Sequence, residues 1–433
     1  MYLSIFSSVA IFNNKKYKSS TLIYAVFIQI FILIICGSLI LLSFYNRMYV
    51  ESIIKKDKLI YNANSGINIL ISKSDIANYN EKKYYSLFEN SDDSVELLKK
   101  RWGIFDVFIS TAKWKKNEIQ KIALVGSILP DSEKIALFLT NSKNPLYVCG
   151  NTLIKGKCYL PEDGAARAYI EGKSFSGNKL VDGKINKSTN VIPLPNQILQ
   201  DLSITNLRKE YSKDSIFDFE KAKLPDTIRN SFSERTLILY QKNKFSLQQY
   251  LIGNIIAISD NSIIVTRDCK ANDIIICAPF VKIEKGFEGK LQVLASDSIV
   301  VEEECNLNYP SALLLVNEDI KDFNPFIRIM EKSKINGVVY QFKKNIQSNH
   351  NAFVYISKDV KINGQVYSNG MIEQKGTIYG SVYCNKFILK TPSSYYENHL
   401  LDATIDISKL SKYYVGAIFF NTIGKRKIVK WLY

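Results

Sequence analysis

Three hexads in the C-terminal half constrain the architecture more than anything else in the chain. They read Ile335-Asn-Gly-Val-Val-Tyr340, Ile362-Asn-Gly-Gln-Val-Tyr367 and Ile378-Tyr-Gly-Ser-Val-Tyr383, and the last two are 16 residues apart. A repeated phrase of this kind belongs to a supersecondary unit that buries its apolar face only by stacking on its neighbours. A second echo lies upstream, where Ile263 and Ile299 are offset by 36 residues and are followed by Cys269 and Cys305. Short β-branched runs closed by Gly or Asn fit the coils of a parallel β-helix. In that fold inward side chains stack from coil to coil, and the backbone bonds to the coils above and below. Gly337, Gly364 and Gly380 let the chain turn sharply between strands. A β-sandwich also gives short, evenly spaced strands, but the recurrence of one hexad three times favours the β-helix.

The predicted β-helix covers residues 248–395, with first coils at 146–192. Between them, 193–247 is richer in charge and carries a helical pattern near Gln197 to Tyr211, which predicts an inserted helical or loop segment. Residues 396–433 are expected to form a C-terminal cap. Its hairpin would pair Tyr414–Phe420 with Lys427–Tyr433 across Asn421 to Arg426 and so cover an open end of the solenoid. The Ile-x-Gly-x-Val phrases resemble the repeats of bactofilin-like polymer-forming proteins. That resemblance implies a β-helix and self-assembly, and it implies no catalytic residue.

The other strong signal is near the N-terminus. No charged residue occurs from Ser19 to Asn46, and a helix of about 20 apolar residues crosses a bilayer. Residues 21–45 therefore predict a transmembrane helix behind a short tail, 1–20. The apolar run is too long for a signal peptide, whose apolar region is about 7–15 residues. Ile35 before Cys36 disfavours a lipoprotein, since lipoprotein peptidases want a small residue there. Lys15, Lys16 and Lys18 precede the span and Arg47, Lys55, Lys56 and Lys58 follow it, so Lys and Arg counts do not set the orientation. A short tail before a large domain favours the domain outside.

Val50, Ile53, Ile54, Ile60 and Tyr61 continue a near-helical spacing, so the helix is expected to run on to about Leu70. Residues 46–145 then read as a helix extension and a small α+β domain. Its strands are expected at Asp106–Trp114, Glu118–Val125 and Lys134–Leu139. A long N-terminal helix followed by a small antiparallel sheet resembles type IV pilins and minor pilins. The prepilin processing motif, a Gly before an aromatic or Met with Glu five residues on, is absent. Lys18-Ser-Ser-Thr-Leu-Ile23 stands before the span, and no Glu follows until Glu51.

The chain carries 57 basic and 41 acidic side chains, a formal charge of +16. That surplus suits anionic lipid headgroups or an acidic glycan. Nucleic acid is not expected, because no basic block concentrates the charge. Outside the span, Cys149, Cys158, Cys269, Cys277, Cys305 and Cys384 lack metal-ligand spacing and read as small buried hydrophobes. Neither His350 nor His399 has another His or Cys nearby in sequence, and His399 could pair with Glu397 or Asp402. There is no phosphate-binding glycine-rich loop. The best catalytic grouping is Arg267, Asp268 and Glu302-Glu303-Glu304, if the 36-residue offset is two coils; Glu302 to Glu304 could also hold a divalent cation.

No catalytic, cofactor or metal residue is assigned. The expected function is a non-enzymatic, membrane-anchored cell-envelope structural protein in a pilus-like, adhesive or secretion-related assembly. A membrane-tethered glycan-binding or glycan-cleaving β-helix protein is the alternative.

Overall fold

A computed structural model describes residues 19–87, 94–128, 134–211, 214–218, 225–318, 323–345, 351–417, 419 and 425–432. Residues 1–18 of the expected tail, His350, and the expected hairpin turn at 421–424 lie outside the described residues. The chain divides into two units, Met1–Tyr61 and Asn62–Tyr433.

The first unit is mostly helix. A single helix, Ser19–Ser72, runs for 54 residues and supplies the second unit's first eleven residues. Among the described residues it is the one helix long and apolar enough to cross a membrane. Leu22, Phe27, Phe31, Leu33 and Ile40 along it are all exposed.

The second unit is mainly β, with two sheets of different character. An antiparallel sheet holds Lys83–Ser86, Ser94–Trp102, Phe105–Trp114, Asn117–Ile128 and Lys425–Leu432, in that spatial order. On one face Gly66 of the helix lies so close to Ser110 and Leu97 that a Cβ would overlap them, and Ala63, Ile67 and Leu70 are buried. The last strand is a finding against expectation. Lys425–Leu432 pairs with Ile122–Ile128, and Gly416, in the segment expected to be its hairpin partner, bridges instead to Ser127. Asp106 explains the choice. It is buried in the sheet, ion-paired with Arg426, and accepts a 2.8 Å hydrogen bond from Tyr79. Leaving that carboxylate without its cation would cost about 3–5 kcal/mol.

The larger sheet is parallel and consists of three ladders. In the first, one side-chain column reads Leu239, Ala257, Ile276, Val293, Leu313, Val339, Val366, Val382, Leu137 and Cys158, paired in register from one strand to the next. A second ladder stacks Phe245, Ile263, Val281, Ile299, Ile327, Val354 and Ile372. A third stacks Leu307, Ile335, Ile362, Ile378, Ile405 and Ile154. All these residues belong to one buried cluster. The three hexads therefore lie side by side, Ile on Ile, Gly on Gly and Tyr on Tyr. Val281 lies between Ile263 and Ile299, so the 36-residue offset spans two steps of the second ladder.

The order along the ladders differs from the order in sequence. The strands at 137–139 and 158–160 do not precede the others; they follow the last hexad, with Leu137 beside Val382. Residues 192–211 carry the chain back along the first ladder. Ile192, Leu199, Leu202, Leu207 and Tyr211 of this stretch are buried in the second core cluster. From Ser215 to Leu247, short strands already join the parallel ladders. Apolar residues at 199, 202 and 207 give this stretch a face that water would otherwise meet.

That second cluster lies between the two sheets. The outward column of the first ladder, Ile258, Cys277, Leu294, Leu314, Tyr340, Tyr367 and Tyr383, meets Trp102, Phe105, Val107, Ile109, Ile122 and Leu124 of the antiparallel sheet. A side-chain amide fixes the join. Gln292 accepts from Ile104 N–H at 3.0 Å and donates to the Trp102 carbonyl at 2.9 Å. Gly103, at φ +63, completes this turn, and a Cβ there would sit 2.1 Å from Gln292 Oε1.

The hexad glycines have φ near +154, and a Cβ on Gly364 would lie 1.8 Å from the Gly337 carbonyl oxygen. Backbone, not a flexible side chain, fills that space. Gly364→Ala is expected to lower the unfolding free energy by about 3 kcal/mol, from backbone strain plus overpacking. Denaturant titration of the full chain in detergent micelles measures it.

Candidate functional site

A groove of about 500 Å³ is lined by Asn308, Tyr309, Asn336, Asn363, Lys409, Leu410, Ser411, Tyr413 and Tyr414. One wall follows from strand alternation. Ile335 and Ile362 point inward, so Asn336 and Asn363 stand outward at adjacent positions. Asn363 Nδ2 donates to Asn336 Oδ1 at 2.7 Å, and Asn336 Nδ2 donates to the Leu307 carbonyl at 3.3 Å. Asn308 Nδ2 donates to Glu288 at 3.2 Å.

The other wall is a strap after Thr404–Asp406. Asp406 accepts from the Ser408 N–H and hydroxyl, which starts the short 3-10 turn Ile407–Lys409. Tyr414 then donates its hydroxyl to the Gly337 carbonyl at 2.9 Å, and Tyr309 donates to the Val415 carbonyl at 2.9 Å. Burial pushes the Tyr309 hydroxyl up to about 12 and that of Tyr414 higher still, so both remain neutral donors. Tyr413 is different: it is 81% exposed, with the Lys427 ammonium 5.9 Å from its ring centroid. Lys409 is exposed and has no acidic partner among the described residues. The groove thus offers amides that both donate and accept, one open aromatic face, and positive charge. The usable signal for Asn336 and Asn363 was their place between inward Ile and tight Gly in successive hexads, which puts them on one outer column.

Of the catalytic grouping named above, Arg267 and Glu302–Glu304 flank one turn, and the three glutamates are ion-paired. Arg267 lies against Gly286 on one flank of the 284–286 turn, and Glu302–Glu304 lie on the other. Glu302 pairs with Lys282 at 2.6 Å, and Lys285 stands 3.6 Å from Glu303 and 3.8 Å from Glu304. The Lys282 hydrogen bond, aided by the Lys285 N–H and opposed by burial, holds the Glu302 carboxyl below its usual range. Among the described residues no group of His, Cys, Asp and Glu has the arrangement of a metal site.

His399 pairs with neither carboxylate. Its Nδ1 lies 2.6 Å from the Glu397 carbonyl oxygen, and its ring stacks on Tyr147 at 4.4 Å. Glu397 instead takes Lys386, and Asp402 takes Lys173 and the Asn151 N–H. Six of the seven cysteines are buried and all seven are free thiols. Burial pushes Cys158 and Cys269 up to about 12, which keeps them protonated and unreactive.

No protein-family model matches the chain, and no curated protein matches it. Among solved structures the chain is similar to the competence-associated pilin ComZ from Thermus thermophilus. The alignment covers 87% of this chain and 97% of that one, at 9% identity and a TM-score of 0.19. A likeness at that level does not establish a shared fold.

His399 gives a pH dependence of known sign. Burial lowers its imidazole below the ordinary 6.5, with the Glu397 carbonyl partly opposing. Below that pH the unfolded chain takes up a proton that the folded chain refuses, so this contribution to stability falls as pH drops through the window and is complete above it. His399→Phe keeps a ring against Tyr147, and it is expected to flatten the fall in stability as pH drops below the ordinary imidazole value of 6.5. Urea midpoints across that range measure the slope.

Proposed function

We propose that this chain is a membrane-anchored scaffold of the cell envelope. Residues 21–45 would span the bilayer as a single pass, with the unit Asn62–Tyr433 on the outer side. The observation that carries the reading is the apolar helix surface. Its most apolar stretch is wholly exposed, and the helix runs without a break to Ser72, where Ala63, Ile67 and Leu70 enter the folded unit's core. Apolar surface costs about 25 cal/mol per Å² in water, so a stretch exposing this much of it needs lipid or a partner helix.

In this reading the three parallel ladders are the three faces of one parallel β-helix. Support comes from the single interior cluster to which all three contribute, and from the in-register stacking of identical residues. Such a body is an elongated platform whose stability comes from neighbour-to-neighbour stacking. That suits a structural part in a pilus-like, adhesive or secretion-related assembly.

The test is fractionation with topology. The full chain is expected to stay in the membrane pellet after alkaline carbonate extraction, and a chain lacking residues 1–45 to leave it. Protease added to intact cells, after only the outer barrier is opened, is expected to cut beyond Asn46. Release of the full chain by carbonate, or protection until lysis, contradicts the reading.

A further inference from the structure

We infer that the groove between the asparagine column and the Lys409–Tyr414 strap binds an acidic glycan. Several features converge on that chemistry. Asn336 and Asn363 sit one strand spacing apart, about 4.8 Å, and their amides can donate to and accept from neighbouring sugar hydroxyls. Within the pair, Asn363 Nδ2 and Asn336 Oδ1 bond each other, and no partner of Asn363 Oδ1 is present among the described residues. Tyr413 supplies a broad, exposed aromatic face for the apolar side of a pyranose ring. Its neighbours Lys409 and Lys427 are cationic, and the Glu288 carboxylate that reaches the far wall is taken up by Asn306 and Asn308. An acidic substituent on the sugar therefore meets favourable charge, in a chain that already carries +16.

Other occupants fit less well. A peptide adding as a strand needs a free sheet edge, whereas the strands forming this wall are hydrogen-bonded on both sides. Nucleic acid binding draws on several phosphate-neutralising cations along a track, and this groove is lined by one lysine, Lys409, with Lys427 beside the Tyr413 ring. The strap is fixed independently of any ligand by the Tyr414–Gly337 and Tyr309–Val415 hydrogen bonds, so the walls are preformed and little ordering is needed on binding. A second concavity, beside Arg101, Asp201 and Tyr211, has only about 30 Å³ and takes no more than a water.

The groove lies wholly within the unit Asn62–Tyr433, so its test does not depend on where the helix is anchored. Detergent-solubilised full chain is titrated calorimetrically with hexagalacturonate and, separately, with maltohexaose. Hexagalacturonate is expected to bind, more weakly as salt rises, and maltohexaose to bind at least about tenfold more weakly. Tyr413→Ala and Lys409→Gln are each expected to weaken hexagalacturonate about tenfold with unchanged circular dichroism, while Tyr413→Trp retains it. Absence of binding by either sugar overturns the proposal. Equal binding of both overturns its acidic part, and variants that bind like the parent place the ligand elsewhere.

Discussion

The whole folded unit depends on one parallel face being buried from both sides. A parallel sheet exposes no satisfactory side to water and is normally covered on both. Here the inward column, from Ala257 through Val293 and Val339 to Val382, fills the interior, while the outward column, from Ile258 through Leu314 and Tyr340 to Tyr383, is covered by the antiparallel sheet. The stacked rings make that contact continuous: Tyr340 and Tyr367 are 5.4 Å apart, and Phe419 lies 5.8 Å from each. The antiparallel sheet is in turn buried on its far side, where Gly66 lets the helix approach Ser110. Each layer therefore has a partner only because the next is in place.

Polar groups fix how these layers meet. Gln292 satisfies both backbone groups of the Trp102–Ile104 turn, and Lys430 reaches Asp273 on the parallel sheet at 2.5 Å. Asp106, Arg426 and Tyr79 bind the C-terminal strand into the antiparallel sheet. These contacts cost the apolar interface little and select one docking, since a slipped alternative would strand buried amides and charges.

Local repetition was legible in the sequence, and long-range return was not. The hexads announced that Ile335, Ile362 and Ile378 stack, and the charge-free run announced the helix, because both signals lie within a few dozen residues. The pairing of Leu137 with Val382, and of Lys425–Leu432 with Ile122–Ile128, joins segments with no shared periodicity. Only the apolar surface left over by other elements decides them. The same holds for the groove. Asn336 and Asn363 were visible, but Lys409 and Tyr413 come from a strap whose path is set by Tyr414 reaching the Gly337 carbonyl. The carboxylates that did attract notice, Glu302 to Glu304, are tied to Lys282 and Lys285, whose pairing across neighbouring strands sequence spacing does not disclose.

The interdependence of the two sheets is open to direct measurement. Trp102, Trp114 and Trp431, the only tryptophans in the chain, all lie in the antiparallel sheet, whereas most of the β-sheet infrared amide band arises from the parallel ladders. Denaturant titration of the full chain in micelles, followed by both signals, is expected to give coincident transitions, as one cooperative unit requires. A tryptophan transition that is complete while the infrared band is still native would mean that the parallel face stands without its cover, and would contradict the account.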